Sequence, residues 1–427
     1  MRGVYVLLLI SLLGYTGRVS GQESVTITQC YEWARANYPQ IHQMGLIDQT
    51  ERYSLSNVGK AWLPQLSVSG KASYQSDVTK LPLDGDKISS LLPGFEIPSL
   101  SKDQYQVVAQ VDQTIWDGGS TRSARALTRA EAIANREQLE SELYALNDRV
   151  NQIYFGCLLQ DELIRQNALL QKELQVNIER IEAMMENGVA NQSDLESMEV
   201  ELLNARQNEI ELKASRTVYR QMLATFINKP LTDQVVLKTP ESPERSLSTQ
   251  INRPELRALD AKSEWIETQN KQVTAGLMPR IGAFVQGGYG RPGLNMLEDS
   301  FEPYYVAGVR LSWNLGKLYT LKNDRRKIEV SRRQIDVQRE TFLFNTRLQL
   351  LQQNTEIKKM TDLMRADDDI IRLRTSIKQA AEVKLENGVI SVTDLIREIN
   401  AEDMARQTAA AHRVQRLMTI YNYMYTT

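Results

Sequence analysis

The chain repeats itself. Glu186-Asn187-Gly188-Val189 returns 200 positions later as Glu386-Asn387-Gly388-Val389, and the match extends to Ser193-Asp194-Leu195 against Thr393-Asp394-Leu395 and to Ala205-Arg206-Gln207 against Ala405-Arg406-Gln407. An Asn-Gly that closes one apolar-periodic run, followed by a hydroxyl residue that opens another, reads as the turn of a helical hairpin. Ser193 with Glu196 supplies a capping-box pattern for the second helix. Within 427 residues, a repeat of this size predicts one duplicated architecture rather than a string of unrelated domains.

The rest of the chain follows the same duplication. A short helix is expected over 28–36, interrupted by Asn37-Tyr38-Pro39, because proline suits a first helical turn and resists an interior one. Helices then run from Pro39 to about Ala61 and from Pro254 to Leu277, and each is ended by a proline 25 residues after the one that opens it, Pro64 and Pro279. There the period changes from helical to two. Leu66, Val68, Gly70, Ala72 and Tyr74 alternate with Gln65, Ser67, Ser69, Lys71 and Ser73, which is a strand with one apolar face. Tyr105, Val107, Ala109 and Val111 continue the pattern after a loop over 75–103. In the second half Ile281, Ala283, Val285 and Tyr289 form one strand and Tyr305, Ala307, Val309, Leu311 and Trp313 its partner. Gly287-Gly288-Tyr289-Gly290 reads as a turn between them rather than a phosphate loop. The aromatics fall at strand ends, with Tyr74, Tyr105, Tyr289 and Tyr305 beside the loops and Trp62, Trp116 and Trp313 at the opposite ends. Two aromatic belts around one-sided strands are the pattern of a membrane barrel; a soluble sheet packed on a helix would alternate in the same way.

Each β-hairpin leads through a glycine turn, at Gly118 or Gly316, into a long helical run of 70 or 72 residues ending at Gly188 or Gly388. Each run is about 100 Å at 1.5 Å per residue, far more than the ~30 Å of a bilayer. Leu143, Leu146, Val150, Ile153 and Cys157 keep 4/3 spacing in the first, and Leu350, Ile357, Met364 and Ile371 recur every seven in the second, which predicts coiled-coil packing. The return helices, from Asp194 to about Ile227 and from Asp394 to about Tyr425, are half as long. The expected organisation is a signal peptide at 1–21, a first repeat over 22–228 with a β-hairpin at 64–116 and a tip near 188, a connector over 229–251 lying on the outside, and a second repeat over 252–427 with a β-hairpin at 279–314 and a tip near 388.

Bulk properties exclude several function classes. The 51 basic and 53 acidic residues nearly cancel, so no nucleic-acid partner is expected. Lys322, Arg325, Arg326, Lys327, Arg332 and Arg333, interrupted by Asp324 and Glu329, read as a solvated helix face, and Asp367-Asp368-Asp369 as a solvated helical turn. Cys30 and Cys157 are too few for a disulfide framework or metal cluster and read as small buried apolar residues. His42 and His412 lie in separate elements without a catalytic context and read as surface or interface residues. No catalytic, metal or cofactor site is expected, and the chain is not read as an enzyme. Met1-Arg2-Gly3, the apolar run Val4 to Leu13 and Val19-Ser20-Gly21 form a cleavable export signal, and nothing after it reaches the ~20 apolar residues of a membrane helix. The exported chain is therefore soluble or crosses a membrane as strands. Four strands cannot close alone, because an open edge in lipid leaves N–H and C=O groups without partners. Two chains would give a barrel filled by side chains; three give twelve strands and a lumen.

Taken together, the Asn-x-Pro repeat at Asn37 and Asn252, the strand-ending Trp116-Asp117-Gly118-Gly119 and the Gly-Val-x-x-x-Ser/Thr-Asp-Leu turns at Gly188 and Gly388 resemble the TolC-type outer-membrane efflux factors over the whole mature length. The resemblance implies an α plus membrane-β fold, with four transmembrane β-strands per chain and long coiled-coil hairpins. It implies a homotrimer whose twelve-stranded barrel in outer-membrane lipid continues as a periplasmic α-helical tunnel in a Gram-negative bacterium. It also implies a periplasmic adaptor (a membrane fusion protein) and an inner-membrane transporter as partners, with the chain as passive exit channel of a tripartite efflux or type I secretion system. On the family pattern Gly188, Val189, Ser193, Asp194, Gly388, Val389, Thr393, Asp394 and Arg397 lie at the tunnel entrance and adaptor contact. Asp394 matches an acidic-ring position of some members, but the next acid is Arg397 here, which speaks against a cation filter. The negative charges of Asp194 and Asp394 also suit the start of a helix on their own. The competing reading is an exported coiled-coil scaffold whose sheets never enter lipid.

Overall fold

The computed structural model describes residues 24–79, 100–242, 250–296 and 298–427. The export signal, most of the loop over 75–103, and Pro243 of the connector lie outside them. Among the described residues no helix is long and apolar enough to cross a membrane. In chain order the elements are β1 (Ser24–Val25), α1 (Ile27–Asn37), a 3-10 turn (Pro39–Ile41), α2 (His42–Lys60), β2 (Gln65–Tyr74), β3 (Asp103–Trp116), α3 (Ser120–Tyr144), α4 (Leu146–Glu186), α5 (Gln192–Ile227), β4 (Val236–Leu237), α6 (Pro254–Ala275), β5 (Arg280–Arg291), β6 (Glu302–Ser312), α7 (Lys317–Glu386) and α8 (Val392–Thr426). They fall into two compact units, one of residues 42–141 and 253–344, the other of the remaining described segments. Each unit draws on both halves of the duplicated sequence.

The first of these units contains one four-stranded antiparallel sheet in the order β2-β3-β5-β6. Its register carries the sequence alternation across every strand. Leu66 stands opposite Val111, Val68 opposite Ala109, Val111 opposite Val285, Val107 opposite Tyr289, Ala283 opposite Val309 and Ile281 opposite Leu311. All of these share one face, because side chains alternate with period two. The other face takes Gln65, Lys71, Gln110, Asp112, Gln286 and Arg310. Among the described residues no helix packs across this sheet, and its apolar face is open, with Leu66, Val68 and Val309 each 70 % exposed or more.

Two details depart from expectation. Gly287 to Gly290 is no turn but the continuation of β5 to Arg291. A side chain at Gly288 would run into Tyr304 and one at Gly290 into the Tyr105 carbonyl, so these glycines permit close approach inside a strand. The second departure is a β-bulge. Thr114 pairs with Gly282, but the next pair is Trp116 with Ile281. Ile115 is the extra residue. It shifts the alternation by one and brings Trp116 onto the apolar face.

In the other unit α1, α4, α5, α7 and α8 form a helical bundle. Cys30, Val150, Ile153, Tyr154, Phe155, Cys157, Leu223 and Ile227 make one core. Both cysteines are free and fully buried, and burial pushes each thiol up to about 12. The connector is not wholly outside. Its β4 pairs in parallel with β1, Val235 and Leu237 are buried, Arg220 donates to the Thr232 and Val235 carbonyls, and the Tyr154 hydroxyl reaches the carbonyls of Val25 and Lys238.

The two long runs are not alike. α7 is one helix of 70 residues, about 105 Å at 1.5 Å per residue. The earlier run is interrupted at Ala145, which stays in the right-handed region with φ −62° and a ψ of −16° nearer a 3-10 turn than an α-helix. The apolar heptad passes through the break unshifted, with Leu143, Leu146, Val150, Ile153 and Cys157 all buried. The break lies beside Tyr144, whose hydroxyl donates to the Tyr425 carbonyl at 3.1 Å.

Candidate functional site

The two repeated turns have the same build. Gly188 and Gly388 sit at φ +72° and +69°, the left-handed region that disfavours any side chain. Val189 and Val389 then donate back to the carbonyls of Met184 and Lys384, both at 2.9 Å, satisfying carbonyls a helix end leaves open. The preceding asparagines assist. Asn187 and Asn387 donate from Nδ2 to the carbonyls of Ala183 and Val383 at 2.8 and 2.7 Å. Asn therefore closes the helix and Gly reverses the chain.

The returning helices start two residues before the expected capping box. Asn191, not Ser193, caps α5, and Ser391 caps α8; each accepts from the N–H of the Asp three residues on, and that Asp accepts from the cap N–H. Asp194 and Asp394 thus do what Glu196 was expected to do, because a carboxylate at the third helical position reaches the cap N–H. Beyond the shared build the tips differ. The Asp394 carboxylate also accepts the Ser391 hydroxyl at 2.8 Å and lies 3.4 Å from Arg397. The Ser391 hydrogen bonds, and then the Arg397 charge, hold it below the usual carboxylate range. Ser193 and Thr393 are exposed, and Val189 and Val389, 58 % and 67 % exposed, are apolar knobs at the turn apices.

Below the turns both hairpins share one core of Leu174, Ile178, Ile181, Met198, Leu202, Leu385, Val392, Leu395 and Ile399. The next layer is ionic. Lys378 on α7 binds Glu173 of α4 and lies 2.7 Å from Glu402 of α8. Glu402, 2 % exposed, also accepts Thr375 and Arg406. Burial opposes its ionisation, but hydrogen bonds from Lys378, Thr375 and Arg406 outweigh it and hold the carboxyl down at about 2. Further up α7, Asp367 is buried and bonds His412 of α8 at 2.7 Å. This corrects one expectation, since Asp367 is no part of a solvated turn, and of the surface and interface readings of His412 it selects the interface. Asp368 and Asp369 are exposed.

These residues belong to the coiled-coil seam. Among the buried and half-buried positions of α7, Thr346, Leu350, Gln353, Ile357, Met360, Met364, Asp367, Ile371, Arg374, Lys378, Ala381 and Leu385 form a continuous stripe that alternates by four and three, with the other half-buried positions flanking it. One row is the apolar heptad visible in sequence. The other is largely polar. A charged residue at a seam position such as Lys378 was the available signal, and its partners come from other helices.

Asp403 lies beside this layer. Burial pushes its carboxyl up to about 6, the charges of Glu173 and Glu402 add to this, and Gln407 and Arg406 oppose it. Its carboxyl keeps a proton in the folded chain to about pH 6, whereas in the unfolded chain it ionises near the ordinary 3.8. Folding therefore loses stability as pH rises across this window. Asp403→Asn keeps the oxygen that accepts Gln407 Nε2 at 2.6 Å and removes the charge. We expect it to raise stability near pH 7 by about 1–2 kcal/mol, water screening the remainder, and to flatten the profile from pH 4 to 6. Thermal melts followed by circular dichroism across that range check this; an unaltered profile refutes it.

On the polar face of the sheet Asp112 accepts Gln110 at 2.7 Å and lies 3.9 Å from Arg310, whose guanidinium stands 4.7 Å over the Phe284 ring. Phe284, the apolar exception on this face, is thus a cation-π partner. The strand-end aromatics Trp62, Tyr74, Tyr105, Trp116, Tyr289, Tyr305 and Trp313 are all 39 % exposed or more. In the basic run Arg332 pairs with Glu267 and Arg333 with Glu329, as a solvated helix face does.

Residues 30–229 match the family described as outer membrane efflux protein. No curated protein matches the sequence. Among solved structures, the channel CusC aligns at TM-score 0.64 and 14 % identity over 93 % of this chain and 91 % of its own. The outer-membrane channel OprN aligns at 0.67 and 14 % over 94 % and 89 %. VceC of Vibrio cholerae, an outer membrane protein, aligns at 0.62 and 12 % over 93 % and 95 %. At such identity these likenesses carry the fold.

Proposed function

We propose that this chain, whose residues 30–229 match the outer membrane efflux protein family, is a member of it and that three copies form the exit duct of a tripartite export system. The observation that carries the proposal is the sheet of β2, β3, β5 and β6, with one exposed apolar face and two edges, β2 and β6, that no other strand of the described residues pairs. Such a face is stable in lipid and such edges are not. Because all neighbours are antiparallel and the strand number is even, β6 of one copy meets β2 of the next antiparallel as well. Twelve strands close with Gln65, Lys71, Gln110, Asp112 and Arg310 inward. The strand-end aromatics form the two girdles at the lipid boundary.

The hairpin tips are the entrance. Gly188, Val189, Ser193 and Asp194, with Gly388, Val389, Thr393, Asp394 and Arg397, meet a periplasmic adaptor that couples the duct to an inner-membrane transporter. The exposed Val189 and Val389 supply apolar anchors. Asp394 is already engaged by Ser391 and Arg397, which favours docking and capping over a cation filter. The chain supplies a path and no energy; opening is a change of helix packing at the tips. In support of lipid over a soluble scaffold, no helix of the described residues packs on the apolar face.

Purified full-length protein is expected to elute from detergent at three times the chain mass by light scattering and to give discrete conductance steps in planar bilayers. A monomer that stays soluble without detergent would refute the duct.

A further inference from the structure

The unit that holds the sheet also holds an open cavity of about 1080 Å³ whose walls include Trp62, Trp116, Arg122, Arg125, Arg129 and Lys271. The spacing of the three arginines places them on one face of α3, and Lys271 comes from α6. Among the described residues none of the four has a carboxylate at ion-pair distance, whereas other cations of the same unit do: Arg136 with Asp48, Arg332 with Glu267 and Arg339 with Asp260. The acid in the lining, Asp117, is committed elsewhere: its carboxylate accepts the N–H groups of Gly119 and Thr121 at 2.9 and 2.6 Å. Four like charges around one cavity repel each other and are stabilised by an anion between them.

Location selects the anion. The bulge at Ile115 brings Trp116 to the apolar face, while the polar-face residues Asp112, Phe284 and Arg310 line a different cavity. The arginines therefore stand one step past the tryptophan end of the apolar face. That is the order of groups at a lipid boundary, with acyl chains against the strands, headgroup level at tryptophan, and phosphates where arginine reaches. Guanidinium groups suit phosphate oxygens through paired N–H donors.

We propose that this cavity binds the phosphate-bearing headgroup of an anionic phospholipid at the foot of the barrel. The inference rests on the membrane reading of the sheet given above. The lipid would hold α3 and α6 together where they leave the membrane.

The test uses the full-length protein in detergent, incubated with phosphatidylglycerol or phosphatidylcholine and read by native mass spectrometry. Phosphatidylglycerol is expected to stay bound and phosphatidylcholine to be lost. Combining Arg122→Gln, Arg125→Gln and Arg129→Gln is expected to lower phosphatidylglycerol retention about tenfold or more. The matching lysine substitutions should retain part of it, and Arg332→Gln with Arg333→Gln should leave it unchanged. Equal retention by the triple glutamine variant, or equal binding of phosphatidylcholine, overturns the proposal. Displacement by millimolar inorganic phosphate overturns the lipid as source, since the cavity would then read any free phosphate. Should the triple variant fail to assemble, Lys271→Gln and Arg129→Gln, each measured alone, must lower retention for the proposal to stand. A wild-type chain that never enters bilayers defeats the duct reading itself, whereas a conducting channel whose triple variant keeps its lipid defeats this inference alone.

Discussion

Val309→Arg is expected to abolish membrane assembly. Val309 lies midway between Tyr305 and Trp313 on β6, is 70 % exposed, and stands opposite Ala283 on the apolar face. An arginine at the bilayer midplane of a strand costs about 2–4 kcal/mol. Three copies in one ring raise this to about 6–12 kcal/mol per trimer, enough to remove it. The measurement is the trimer fraction recovered from membranes, by light scattering in detergent. Gln110→Arg, on the other face, is the control, and it should assemble normally while shifting the conductance towards anions. Normal assembly of Val309→Arg would show that the face does not meet lipid.

The second large effect concerns the ionic layer beneath the tips. Lys378→Met leaves Glu402 buried with its main partner gone. Removing one member of a buried pair costs about 3–5 kcal/mol, while replacing both by apolar residues is often neutral. Glu173 and Arg406 are only part-buried and can turn to water. We therefore expect Lys378→Met to lower the unfolding midpoint sharply and Lys378→Met with Glu402→Leu to recover most of the loss. A denaturant titration of the three proteins decides it; a single variant as stable as wild type would mean that the layer contributes nothing. The contribution of Glu402 is complete above its ordinary pKa of 4.5 and is lost as pH falls towards about 2.

The parts of the fold that rest on apolar contact were readable from sequence. Period two in β2 through β6 and the 4/3 spacing around Val150 are direct traces of which side chains leave water. The second seam row of α7 was not readable, because Asp367 and Arg374 look like surface residues until His412 and Glu398 are brought beside them by another helix; Lys378 falls in the apolar row, where its charge is out of place until Glu402 meets it. Likewise Asn191 and Ser391 compete as caps with the hydroxyls of Ser193 and Thr393 two residues on, and backbone angles at the cap position decide between them. Gly287 to Gly290 resembled a turn by composition, and only the approach of Tyr304 and the Tyr105 carbonyl explains why strand glycines stand there. The break at Ala145 leaves no mark, since alanine favours helix and the heptad continues through it.

The extra residue at Ile115 has a consequence for how such a chain can change in length over evolution. Within a strand, as in Gln65–Tyr74 or from Asp103 to Thr114, losing or gaining one residue would exchange the lipid side for the water side over the rest of that strand, so viable length changes there come in twos. In α7 and α8 the corresponding quantum is seven, and a change in one helix needs its equal in the other to keep Lys378 at Glu402. A single-residue change survives only where a switch of sides is wanted, and Ile115 marks such a place. Sequence can thus drift far while lengths remain quantised, and alignments of distant relatives gain more from counting residues between landmarks than from matching letters.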